Sequence, residues 1–207
     1  MHLVTGVTIT QYRNLANDPV TSEIWKEHAF GKEFGRMAQG DDRSGTKGGD
    51  FIFVMSQDKV AQMRAKGKKS MYARVEVDFC PQKEDPNWVR ITAGGNLIKY
   101  AGELTTRTAD LMTAKMIWNS VIVTDSEKFM GLGIGNFYLE TPIEEYEYMI
   151  MPLHLFPQHT IDQYKLQENA QNWHVYLEVW RDIYGIPQAG ALANKQLKNF
   201  LAPDGYY

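Results

Sequence analysis

From Met71 to Phe79 the residues alternate without a break. Met71, Ala73, Val75, Val77 and Phe79 are apolar, and Tyr72, Arg74, Glu76 and Asp78 stand between them. A period of two places successive side chains on opposite faces of an extended chain, so this stretch reads as a half-buried β-strand. The fold must therefore hold a sheet with one face against a core, and Arg74 must point away from that core.

The rest of the chain supplies partners for such a strand. Phe51–Met55 reads as a buried strand, Trp88–Ile91 as a short one, and Phe129–Ile134, Tyr146–Met151 and the alternating Val175, Leu177 and Val179 as others. Trp25, Ala29, Phe30, Phe34 and Met37 recur on one side of a helix. Ser22 or Thr21 would cap it and Gly40 would end it, although Gly31 and Gly35 lower its intrinsic helicity. Thr108 or Thr106 would cap a second helix whose apolar side holds Leu111, Met112, Ile117, Trp118, Val121 and Ile122. Gln158–Tyr164 is one helical turn. Ala189–Leu201 is a further helix, with Ala193, Leu197, Phe200 and Leu201 on one side. The turns fall at Pro81–Pro86, Gly135–Pro142 and Ile183–Gln188, and Gly94, Gly95 and Gly102 bracket a loop. Strands and helices mix without regular alternation. That predicts an α+β fold, a mixed or antiparallel sheet with packed helices, rather than a doubly wound sheet.

Composition excludes several function classes. With 207 residues, 43% of them apolar, the chain can bury a core. A net charge of −3 gives no global attraction to nucleic acid, so any such role must rest on a local patch. The clearest patch is Lys59–Arg74, where six Lys or Arg occur with no Asp or Glu. The single cysteine, Cys80, allows no internal disulfide and suits a reducing, intracellular compartment, cytoplasmic or nuclear. No apolar run approaches the roughly 20 residues of a membrane helix, and Met1–Thr10 lacks the basic start and apolar stretch of a signal peptide. Gly131-Leu132-Gly133-Ile134-Gly135 has the wrong spacing for a phosphate-cradling loop. The five histidines show no metal-ligand spacing; His154 and His159 flank Pro157 and read as loop residues.

Four segments, in order, resemble copia-type retrotransposon reverse transcriptases, which are RNA-directed DNA polymerases. Ala73-Arg74-Val75 is similar to the family's fingers block, and Thr105-Thr106-Arg107-Thr108 with the apolar helix after it fits the family's linker. Gly133-Ile134-Gly135-Asn136-Phe137-Tyr138-Leu139, followed by Glu144-Glu145 and Tyr148-Met149, looks like the first catalytic block, D-x-x-x-x-Y/F-L and then E-x-Y-M. Tyr184-Gly185-Ile186-Pro187-Gln188-Ala189-Gly190 resembles the Y-G-L-P-Q-A-G block that opens a palm helix. The resemblance runs from about Trp25 to Tyr207. It implies an N-terminal extension over 1–20, a fingers-like region over 21–127 and a partial palm over 128–207, with the second carboxylate block expected beyond Tyr207 and the rest of a retroelement polyprotein around it.

The resemblance also implies residue roles. Polymerases of this family join nucleotides with two Mg²⁺ ions about 3.5–4 Å apart, held by carboxylates. Gly133 stands where the family has its first catalytic Asp, so no Mg²⁺ is expected to bind tightly here. Tyr138 matches the aromatic under the nucleotide sugar, Gln188 the residue that hydrogen-bonds the incoming dNTP, and Arg74 the arginine on its triphosphate. Lys66, Lys68 and Lys69 would contact the phosphates of an RNA or RNA/DNA template–primer. The same residues have ordinary readings too: Tyr138 as a core aromatic, Gln188 as a helix-terminus polar group, the lysines as a solvated loop. Tyr72, Trp173 and Trp180 depart from the family pattern, and Trp180 is expected to disturb the turn before Gln188. Three readings result: an inactive polymerase fragment, a non-catalytic nucleic-acid-binding module, or an inert remnant with unpaired strand edges.

Overall fold

The computed structural model of the chain describes residues 11–98, 100, 102, 104, 106, 110–129, 131 and 133–205. In chain order the elements are α1 (Tyr12–Asn17), π-helical turns over Glu23–Phe30 that run straight into α2 (Gly31–Met37), the small hairpin β1 (Gly40–Asp41) and β2 (Thr46–Lys47), and β3 (Ile52–Val54). Then come α3 (Gln57–Ala65), β4 (Met71–Phe79), β5 (Asn87–Ala93), α4 (Leu111–Val123), β6 (Pro142–Pro152), α5 (Gln158–Gln163), α6 (Leu166–Asn169), β7 (His174–Arg181) and α7 (Ala189–Leu201). The fold is α+β. Its main sheet has the order β3-β7-β6-β4-β5, antiparallel throughout except where β4 meets β6.

That one parallel contact is short. Met71 pairs with Met149 and Tyr72 with Ile150, after which β4 leaves β6 and pairs with β5 from Ala73 to Phe79. The alternation read from the sequence holds along β4, with Met71 buried and Tyr72, Arg74, Glu76 and Asp78 exposed. Val175, Leu177 and Val179 of β7 all face the core, as their spacing requires, beside Ile52 of β3 and Met149 and Met151 of β6.

The π-helical turns and α2 cover that face. In a π-helix the hydrogen bonds run from i to i+5 and the turns are wide; here Trp25, Ala29 and Phe30 share the buried side, and α2 continues it with Phe34 and Met37. Phe156 stands edge-on to Phe30 and Phe34, with centroids at 5.4 and 5.0 Å. Each such ring contributes roughly 3–5 kcal/mol against alanine. The expected cap is absent: Ser22 makes no side-chain cap, and the Thr21 hydroxyl donates instead to the Leu15 carbonyl at 2.8 Å. On the opposite face of the sheet α3 seats Val60 and Met63 over Tyr148 and Tyr176. The basic stretch thus begins as a helix, capped by Ser56.

Other expectations are corrected. Phe129–Ile134 forms no strand among its described residues, and residues 135–140 are turn. Gly131, Gly133 and Gly135 offer that segment nothing to pack, and β6, starting at Pro142, takes the place beside β7. The α4 helix forms, but Asp110 caps it, accepting from the Thr113 amide at 2.8 Å; Thr108 lies outside the described residues. The packed helix face expected there is missing: none of its residues is buried, and Ile122 is 81% exposed. In α7 only Ala189 and Ala193 are buried, while Phe200 is exposed. Among the described residues no helix is long and apolar enough to cross a membrane.

The two glycines that weaken the first helix are explained by what approaches them. A Cβ at Gly31 would lie 2.7 Å from His159 Nε2, and one at Gly35 would lie 2.7 Å from the Asp41 backbone nitrogen. His159 bridges Glu27 at 3.2 Å and Asp41 at 3.1 Å, tying α5 to the π-helical turns and the β1 hairpin. Gly35→Ala gains about 1 kcal/mol of helix propensity but overpacks this contact at a cost of about 1–3 kcal/mol. Its urea midpoint should fall, and a higher midpoint would show that the hairpin has room to move.

Candidate functional site

The Tyr184–Gln188 turn is docked backbone to backbone on the end of β5. The Ala93 amide donates to the Tyr184 carbonyl at 2.7 Å. Gly185 has φ +95, and a Cβ there would collide with the Ala93 carbonyl. Gly95 answers it from the other side, since its own Cβ would meet the Gly185 carbonyl oxygen and Pro187. Only glycine permits this approach.

The turn before β6 reaches the same place. Asn136, at φ +53, opens it, and the Glu140 and Thr141 amides donate to the Asn136 and Tyr138 carbonyls at 3.0 Å each. The Asp182 amide then donates to the Thr141 carbonyl at 2.8 Å, which pins this turn to the end of β7. As a result the Tyr138 ring meets Tyr184 edge-on, with centroids 5.8 Å apart. The Arg90 guanidinium lies between Tyr184, at 4.0 Å, and Trp88, at 4.1 Å. Arg36 holds Glu33 through two nitrogens, at 2.8 and 2.9 Å, and donates to Asn136 Oδ1 at 2.7 Å. Tyr138, Tyr184, Arg90 and Trp88 thus form a row of aromatic rings around one cation, and Arg36 ties Asn136 to Glu33. Arg36 and Arg90 escaped the sequence reading. The one signal for Arg90 was its place two residues after Trp88 on a strand, which puts both on one face.

Buried polar atoms gather at this turn. Gln188 is 5% exposed and its Oε1 has no partner among the described residues; the same holds for Arg90 Nε and for both oxygens of Asp182, which is 0% exposed. Native proteins leave few such groups unpaired. Asp182 gave no sequence signal, because nothing in a Val-x-Leu-x-Val strand says where the next residue but two is buried.

The other expected site residues lie elsewhere. Gly133 is exposed with open space around it and has no side-chain oxygen. Of the acids close to it in the chain, Glu127 accepts from Ser120 at 3.2 Å and Glu140 lies 3.8 Å from Arg181. Among the described residues no group of three or more His, Cys, Asp or Glu is placed to hold a metal ion. Arg74 is exposed and lines a cleft whose walls include none of Tyr138, Tyr184 or Gln188. Lys66 ends α3, and Lys68 reaches Glu145 at 2.5 Å, a bond that holds the amine above its usual range and the carboxyl below it. Lys69 is exposed in the same loop. Trp180 does not enter the turn before Gln188. It stacks on Tyr146 at 5.0 Å and meets Phe53 at a tilt with centroids 4.3 Å apart, on the sheet face away from the core, and donates to Glu178 at 3.0 Å.

Burial pushes the Asp182 carboxyl up to about 7. Raised above its unfolded value of about 3.9, it binds more protons folded than unfolded. Stability therefore falls as pH rises from about 4 towards about 7 and is level above that. Asp182→Asn should melt with the parent near pH 4 and above it at pH 8, by roughly 2–4 °C for each kcal/mol recovered. A gap between the two melting curves that stays constant with pH would show that Asp182 is not the group responsible.

Comparison with protein-family models, with curated proteins and with solved structures finds no match to this chain.

Proposed function

We propose that this chain is a domain of the copia-type reverse transcriptase kind that engages nucleic acid and nucleotide without joining nucleotides. The observation that carries this reading is the packing of Tyr138 against Tyr184. Two blocks that the family resemblance pairs, far apart in the chain, lie side by side, with Gln188 buried in the second. In this reading α2 to β5 make up the fingers-like part and β6, β7 and α7 the palm-like part, within a retroelement polyprotein that works inside the cell. Tyr138 supports the sugar of a nucleotide, and the basic residues of α3 and the loop after it meet phosphates.

The absence of chemistry in this reading follows from Gly133. Nucleotidyl transfer needs acidic oxygens at that point, and a hydrogen stands there. Primer extension on an RNA template with Mg²⁺ should give no product above background, and Gly133→Asp alone should restore none. A labelled RNA–DNA hybrid should bind, with log Kd rising linearly with log salt by about 0.7–0.9 per phosphate neutralised. Clear extension by the parent chain would end the non-catalytic part of the reading. Binding that is absent, or indifferent to salt, would end the rest.

A further inference from the structure

On the sheet face away from the core, α3 covers only the strip where Val60 and Met63 lie over Tyr148 and Tyr176. Beside that strip three rings from three neighbouring strands meet: Phe53 of β3, Trp180 of β7 and Tyr146 of β6. Strand pairing puts them there. Phe53 and Tyr148 stand opposite Glu178 from its two sides. Trp180 follows Glu178 by two residues and Tyr146 precedes Tyr148 by two, so all share one face, while Leu177 and Val179 are buried in the core. Trp180, which departs from the family pattern, stands in the middle of the group.

Trp180 and Tyr146 stack with planes 2° apart and centroids 5.0 Å apart, and Phe53 meets Trp180 at a tilt of 42° with centroids 4.3 Å apart. Such cross-strand pairs stabilise a sheet, but this one also stays open to solvent. Trp180 is 37% exposed and Tyr146 43%. Among the described residues Tyr146 meets no second ring, and its hydroxyl has no hydrogen-bond partner. The stack therefore ends on an accessible ring.

The carboxylates around it are engaged or turned elsewhere. Glu178 accepts from Trp180 Nε1 at 3.0 Å and lies 3.6 Å from Lys59, and Glu145 bonds Lys68. Burial holds the Glu147 carboxyl above its usual range, and Glu144 lines a separate groove beside α7. With the indole N–H already taken, the group offers ring faces more than hydrogen bonds. It also adjoins positive charge. Lys68 belongs to the loop from α3 to β4, and the Glu145 that it holds is the chain neighbour of Tyr146. Lys66 and Lys69 of the same loop are exposed, and their amines have no partner among the described residues. Rings that take bases beside cations that follow a backbone are the combination that holds single-stranded nucleic acid.

We propose that Tyr146, backed by Trp180 and Phe53, is a stacking site for an unpaired base of single-stranded nucleic acid, separate from the Tyr138–Tyr184 row. The class of ligand rests on the nucleic-acid reading above; the site itself rests on the rings. The full chain is titrated by fluorescence anisotropy with a labelled oligothymidylate, with an abasic strand of the same length, and with an RNA–DNA hybrid, whose bases are already stacked on one another.

The parent should bind the oligothymidylate about tenfold more tightly than the abasic strand, a comparison that needs no variant. Tyr146→Ala should raise the oligothymidylate Kd by about tenfold. Its salt dependence and the hybrid Kd should stay as they were, because no phosphate contact is lost. Tyr146→Phe, which keeps the ring, should bind as the parent does. Equal affinity of the parent for the two strands, or an unchanged oligothymidylate Kd in folded Tyr146→Ala, overturns the stacking site while hybrid binding keeps the nucleic-acid reading. Oligothymidylate binding that depends on Tyr146, without hybrid binding, keeps the site and ends the duplex part of that reading. Failure of the parent to bind any of the three ends both. A parent dimer in sedimentation that Tyr146→Ala splits assigns the rings to a second copy and overturns the site.

Discussion

The whole arrangement turns on a two-residue seam. Met71 beside Met149 and Tyr72 beside Ile150 are the only paired positions between β4 and β6, and they join the β3-β7-β6 part of the sheet to the β4–β5 ribbon. Met71 and Met149 are almost completely buried there, so the seam is held by packing more than by its few ladder bonds. A longer pairing would have closed the cleft that Ala73 and Arg74 line. A shorter one would have left the ribbon to the contacts of Val89, Ile91 and Ala93 with the helix above it. Residues 21–127 supply β3, β4 and β5 and residues 128–207 supply β6 and β7, so both stretches share one sheet.

From the seam the ribbon carries Ala93 to the Tyr184–Gln188 turn. The glycines at 95 and 185 let two backbones touch there, and the rings of Tyr138, Tyr184 and Trp88 line up with Arg90 as a consequence. The unpaired oxygens of Asp182 and Gln188 sit around the same turn. Burying polar groups without partners costs stability.

Apolar surface tells the opposite story at the periphery. The α4 helix carries Leu111, Met112, Ile117, Trp118 and Ile122 in the open, and Trp118 meets only the ring of Phe129, at 5.9 Å, among the aromatic contacts of the described residues. Phe200 at the end of α7 is as exposed. Periodicity foretold both helices and misjudged their packing, because an apolar stripe states what a helix could bury and not what stands beside it.

Elements with a strong local period were legible from the residues alone. Nine alternating positions defined β4, three defined β7, and the spacing of Trp25, Phe30, Phe34 and Met37 defined a buried helical face, since one period of side chains suffices to give an element its type and its inner side. Distances between elements were not legible. That Arg74 parts company with Tyr138 and Gln188, that Arg90 enters the row of tyrosines, that Phe129–Ile134 yields its strand position to β6 and that Asp182 is sealed from water all depend on which strands pair and where they separate. Those are contacts between residues remote in the chain, and local periodicity carries no record of them.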